Sequence, residues 1–173
     1  MKALSNTKHS LFVLFQKNIP FLLTLFLIIF SLMPWQITFI SYFAVPLAYI
    51  SLFWWSVFCT DLITPPRVFI LGFCCDLLTT APLGYNTILF LFFYWVVVDN
   101  HRFLKGRSFL FLWGCFGVCC LGLAVCQWAL ASLLFLEWLS LSFFIIQSIL
   151  LIAMFPFIST LCTLLYLRFL EDA

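Results

Sequence analysis

Between Ile19 and Arg168 the chain runs through one apolar stretch after another, and the breaks between them are short and carry nearly all of its charge. Only Asp76 stands as an ionisable acid or base well inside a stretch. The runs lie at about 19–33, 37–59, 68–81, 84–98, 108–136 and 139–167. The breaks are Pro34-Trp35, the segment from Asp61 to Arg67, Ala81-Pro82-Leu83-Gly84, the polar stretch Asp99 to Arg107, and Glu137. Charged residues make up 8% of the chain against roughly a quarter in a soluble domain, and hydrophobic residues make up 66%. So few charges cannot solvate a globule of 173 residues, and so apolar a chain does not stay disordered. A transmembrane strand places a polar residue at every second position. Phe21 to Phe30 and Leu89 to Val98 show no such alternation. The fold class expected is therefore an all-α integral membrane protein.

A span needs about 20 apolar residues, which gives this length room for six helices and little else. With six spans, the odd and even breaks fall on opposite sides. Lys2, Lys8, Lys17, Arg67, Arg102, Lys105, Arg107 and Arg168, all eight basic residues, then share one side. The positive-inside rule puts that side, with both termini, in the cytoplasm. The organisation expected is a cytoplasmic or interfacial segment over 1–18, a six-helix domain over 19–168 and a cytoplasmic tail over 169–173. The third and fourth spans are short, about 22 Å against a hydrocarbon core of about 30 Å. Local thinning, a re-entrant pair or burial behind other helices would accommodate them. Pro46 should kink the second span. No small-x-small cleavage site precedes Pro34, so the first apolar run reads as a retained helix.

Asp76 lies nine residues past Arg67, about 13 Å along a helix. A carboxyl group at that depth is costly enough to need a partner. It either fixes helix packing or serves binding or catalysis. Paired-carboxylate chemistry needs a second acid in the membrane, and none is present: Asp61 and Asp99 flank the spans and Glu137 sits in a turn. His9 and His101 also lie outside the spans, which leaves a serine nucleophile without a base. Neither an HExxH pair nor a glycine-rich phosphate loop occurs. The eight cysteines form no CxxC pair, and the outer turns hold none. Cys115, Cys119, Gly122, Cys126 and Ala129 step along one helical face, where small residues let another helix approach. Packing inside the protein is the first expectation for that face, and a partner helix the second. Gln127 and Gln147 stand at similar depth on the two helices flanking Glu137, where they are placed to share a hydrogen bond and to form a polar cluster with Asp76.

The stretch from Pro66-Arg67 through Gly72, Asp76 and Leu77 to Leu83-Gly84 and Tyr94 resembles the rod-shape-determining MreD family. Its pattern is Gly-x3-Asp-Leu, then Leu-Gly, then an apolar helix ending near an aromatic residue. Met33-Pro34-Trp35, Pro46, Trp54-Trp55 and Phe155-Pro156 are similar too, so the resemblance covers nearly the whole chain. The cysteine-rich fifth span is not part of it. The resemblance implies a non-enzymatic inner-membrane subunit of the bacterial cell-elongation complex. Such a subunit is associated with MreC, the actin-like MreB, RodA and the elongation transpeptidase, and it needs no cofactor, nucleic acid or small-molecule substrate. The fold implied is similar to the six-helix substrate-binding subunits of energy-coupling-factor vitamin transporters. A substrate-capture subunit of such a transporter is the alternative function, with Ala44-x3-Ala48 as its docking pair. Gly72, Asp76 and Gly84 are expected to shape the contact region, with Leu77, Leu83, Arg67, Gln127 and Gln147 as further candidates.

Overall fold

A computed structural model describes residues 18–31, 47–79, 82–135 and 140–169. Every regular element in them is a helix. In chain order they are α1 (Asn18–Ser31), α2 (Ala48–Phe58), α3 (Pro65–Leu78), α4 (Tyr85–Asp99), α5 (His101–Leu104), α6 (Phe109–Phe135) and α7 (Leu141–Phe169). The expected turn at Pro34, the kink at Pro46 and the turn at Glu137 lie outside the described residues.

The centre of the fold is α2. Every residue from Ala48 to Val57 is buried, so this helix shows no outward face at all. A helix that is apolar all round belongs inside other helices, and the sequence AYISLFWWSVF has no charged residue to resist that placement. Its most extensive contacts are with α7, α4 and α5. Aromatic rings fill the space between them. Phe53 packs edge-on against Phe116 of α6 at 5.2 Å and Phe155 of α7 at 5.9 Å, and Tyr49 meets Phe90 and Phe93 of α4 at 4.6 and 5.2 Å. Such edge-to-face pairs add about 0.5–1.5 kcal/mol beyond the area they bury. From α1, the Thr24 hydroxyl meets that of Ser51 on α2 at 2.9 Å, both buried.

Two helices, α6 and α7, are long and apolar enough to cross a membrane. Within their most apolar windows only 28% and 22% of residues are buried. A core helix of a soluble protein would be mostly buried, and neither helix is near the N-terminus as a signal sequence would be. Val118, Leu133 and Phe157 are each more than 70% exposed on these helices. The outer surface is thus apolar along their length, which suggests a protein that sits in a membrane. The helices α1, α2 and α4 are apolar but shorter.

The small-residue face of α6 packs inside the protein only in part, Cys115, Cys119 and Cys126 lying against the core. The face of α6 turned inward carries Leu112, Phe116, Cys120, Leu123, Ala124, Gln127 and Ala131. The small-residue stripe lies on its shoulder: Cys115, Cys119 and Cys126 are half-buried, while Gly122 and Ala129 are exposed. A Cβ added at Gly122 would meet nothing within 4 Å. The large ring of Phe116, stacked on Phe155 at 4.6 Å, decides which face packs, and residue size along the stripe does not.

Proline 156 interrupts α7 without ending it. Its missing N–H leaves the Ile152 carbonyl without an intrahelical donor. The Trp113 indole N–H of α6 donates to that carbonyl at 2.9 Å. One residue's backbone defect is therefore repaired from the neighbouring helix.

Candidate functional site

The helices α3 and α4 form a hairpin whose turn is built around Asp76. Gly84 sits at the N-cap of α4 with φ +96°, a left-handed conformation that glycine adopts without strain. An N-cap residue ordinarily supplies a side-chain oxygen to the first free N–H groups of its helix, and glycine has none. Asp76, eight residues earlier on α3, supplies it instead. Its Oδ2 accepts from the N–H of Gly84 at 3.0 Å and of Thr87 at 3.2 Å, and its Oδ1 accepts from the N–H of Asn86 at 2.8 Å. The Thr87 hydroxyl donates to Oδ2 at 2.6 Å. The remaining N–H of the first turn, that of Tyr85, donates to the Pro82 carbonyl at 3.1 Å. All four N-terminal donors of α4 are thereby satisfied. The carboxylate also lies at the positive end of the helix dipole.

Close approach makes this geometry possible. Gly72 lies one turn before Asp76 on the same face of α3. A Cβ there would fall 2.6 Å from the Thr87 Cα and 3.3 Å from a ring carbon of Phe90. Only a residue without a side chain lets the backbone of α3 touch the first turn of α4. Asn86 adds a further tie through its Nδ2, which donates to the Thr79 Oγ1 at 3.3 Å. At the other end of the hairpin the Tyr94 hydroxyl donates to the Ile63 carbonyl at 2.8 Å, both residues buried. The hairpin is clasped at both ends.

The other candidates separate by position. Leu77 and Leu83 point outward at the turn, 61% and 70% exposed. Arg67 stands at the opposite end of α3, where it donates to the Leu62 carbonyl at 2.6 Å and the Asn18 Oδ1 at 3.2 Å, joining α1 to the start of α3. Gln127 is buried, and its backbone carbonyl accepts from the Tyr85 hydroxyl at 3.2 Å. Its side chain stands beside the Tyr49 hydroxyl without reaching hydrogen-bond geometry. Gln127 thus approaches the Asp76 turn through the main chain, by way of Tyr85. Gln147 is half-buried on α7, one residue before Ser148, whose hydroxyl bonds the Cys120 carbonyl of α6 at 3.1 Å. Ala48 of the small pair is fully enclosed in the core, and Ala44 lies outside the described residues.

The donors that complete the Asp76 site, Asn86 and Thr87, were not candidates on sequence grounds. The signal available was a Gly-x-x-Thr at a helix start, with no capping side chain of its own, shortly after an acid set in an apolar run. All eight cysteines are free thiols. Just past α2, partial burial outweighs the neighbouring Lys105 and pushes the Cys59 thiol up to about 11, so it is protonated at neutral pH. Among the described residues no three of His, Cys, Asp and Glu gather to hold a metal ion. The chain matches no family model, no curated protein and no solved structure.

Proposed function

We propose that this chain is a non-enzymatic multi-pass subunit of the bacterial cell-elongation complex, similar in role to the MreD family. In this reading α1, α2, α3, α4, α6 and α7 are six spans of the inner membrane, α5 lies in a cytoplasmic loop, and both termini are cytoplasmic. The protein would hold MreC, RodA and the elongation transpeptidase beside the MreB filament by lateral helix packing. The observation that carries it is the use of the intramembrane acid. Each oxygen of Asp76 is spent on the first turn of α4, while the leucines that flank the clasp, Leu77 and Leu83, face outward. An acid so engaged holds a shape, and the shape displays an apolar surface on which another membrane helix can pack.

Depletion in a rod-shaped host tests the reading. Rounded cells are expected, rescued by the wild-type chain and not by Asp76→Leu. A photo-cross-linker at Leu77 or Leu83 should capture MreC or a wall synthase. Cells that keep their shape but acquire a vitamin requirement would overturn the reading in favour of the transporter subunit. Cross-links that never contain an elongation component would overturn it as well.

A further inference from the structure

Between α4 and α6, next to the short α5, runs an open groove of about 770 Å³. Its walls are apolar, from Val96 on α4 to Phe111 and Val118 on α6, and its floor is widened at Gly114, where a Cβ would meet nothing within 4 Å. Along α6 it extends from Ser108 to Cys119. That length is about 16 Å, against about 15 Å for the hydrocarbon of one leaflet. One end is polar, with Asn100 and Ser108 in its lining. At that end stands Arg107, its guanidinium 5.1 Å from the ring centre of Phe103 and 5.6 Å from that of Phe111, both rings being part of the groove wall. Stacking on two rings holds the cation at the mouth while its donors stay free to turn toward a phosphate. Arg107 also forms part of the wall of a neighbouring hollow with Phe58 and Phe109, whereas Arg102 and Lys105 line another with Asp61 and His101.

We propose that this groove binds one anionic phospholipid, with its phosphate on Arg107 and an acyl chain laid along Phe111, Gly114 and Val118. A slot one leaflet deep, apolar along its length and cationic at one end, matches such a molecule in both shape and charge. A helix of another protein would match the apolar wall without drawing on the cation beside its mouth. The inference rests on α4 and α6 lying in a bilayer and is independent of any role in cell elongation.

The test uses the full chain, purified in detergent and stripped of lipid. It is then offered phosphatidylglycerol and phosphatidylcholine of identical chains, and retained lipid is counted by native mass spectrometry. At least fivefold preference for phosphatidylglycerol is expected. Arg107→Gln should bring the two lipids to near equality. Gly114→Leu, which fills the slot from an exposed helical position, should lower retention of both without lowering thermal stability. Lys105→Gln should change neither lipid more than twofold. A preference that survives Arg107→Gln, or unchanged retention in Gly114→Leu, overturns the proposal. So does a cysteine cross-linker at Gly114→Cys that captures protein from native membranes in place of lipid.

Discussion

Replacing Asp76 by Leu removes an acceptor for four donors at once, and the environment of each donor sets the cost. Thr87 is 4% exposed, so its N–H and hydroxyl have no water to turn to. A buried donor left unsatisfied costs about 1–3 kcal/mol. The N–H groups of Gly84 and Asn86 belong to half-exposed residues, and water can replace the lost oxygen. Each of those bonds is worth about 0.5–1.5 kcal/mol net. These terms overlap, and together they place Asp76→Leu at about 3–6 kcal/mol of destabilisation, a large share of a typical total of 5–15 kcal/mol. Asp76→Asn keeps one carbonyl oxygen but sets an NH2 against an N–H donor, for a loss of about 1.5–3 kcal/mol. Equilibrium unfolding of the purified chain in detergent, for example by steric trapping, reads these differences. The decisive measurement is the double-mutant cycle with Thr87→Val. Alone that change should cost about 1 kcal/mol, and in the Asp76→Leu background almost nothing, because the hydroxyl has already lost its partner. Strict additivity, or an Asp76→Leu chain within about 0.5 kcal/mol of wild type, would refute the clasp.

Two further expectations concern the same packing. Gly72→Ala should destabilise the chain by about 1–3 kcal/mol, because its new carbon would press on the backbone of Thr87, whereas Gly122→Ala should be neutral or stabilising by up to about 1 kcal/mol. The same unfolding assay separates them, and equal effects would contradict the close approach of α3 and α4. Trp113→Phe should cost about 1–3 kcal/mol by orphaning the Ile152 carbonyl, and most of that loss should vanish in the Pro156→Ala background, where an N–H from within α7 takes the tryptophan's place.

The helical class and the apolar exterior were legible in the sequence because both follow from residue type alone. Fifteen-residue runs without alternation are helices, and Val118 or Phe157 faces outward because lipid tolerates it. Asp76 was legible as an exception, an acid where apolar residues are the rule, and Gly72 was a candidate only through the resemblance to a family pattern. Their partners were hidden for a physical reason. Gly84 takes a left-handed conformation at the start of α4, and there the donors of Asn86 and Thr87 turn back onto α3. No periodicity encodes that reversal. The inward face of α6 was legible only in part, because small size marks the edge of the contact, at Cys115, Cys119 and Cys126, and not its centre. Interlocking rings, Phe116 with Phe155 and Phe53, outweigh it by filling the centre. The repair at Pro156 was invisible for a third reason: Trp113 and Ile152 are 39 residues apart, and only the alignment of α6 with α7 brings them together.

The enclosure of α2 sets an order of events during biogenesis. Part of its wall, Phe155 against Phe53 and Tyr166 against Trp54, belongs to α7, which leaves the ribosome about a hundred residues later. Until α7 has been made, the innermost piece must wait with that flank open. Products that stop before residue 141 therefore lack the part that seals α2, which makes α7 a checkpoint for the bundle.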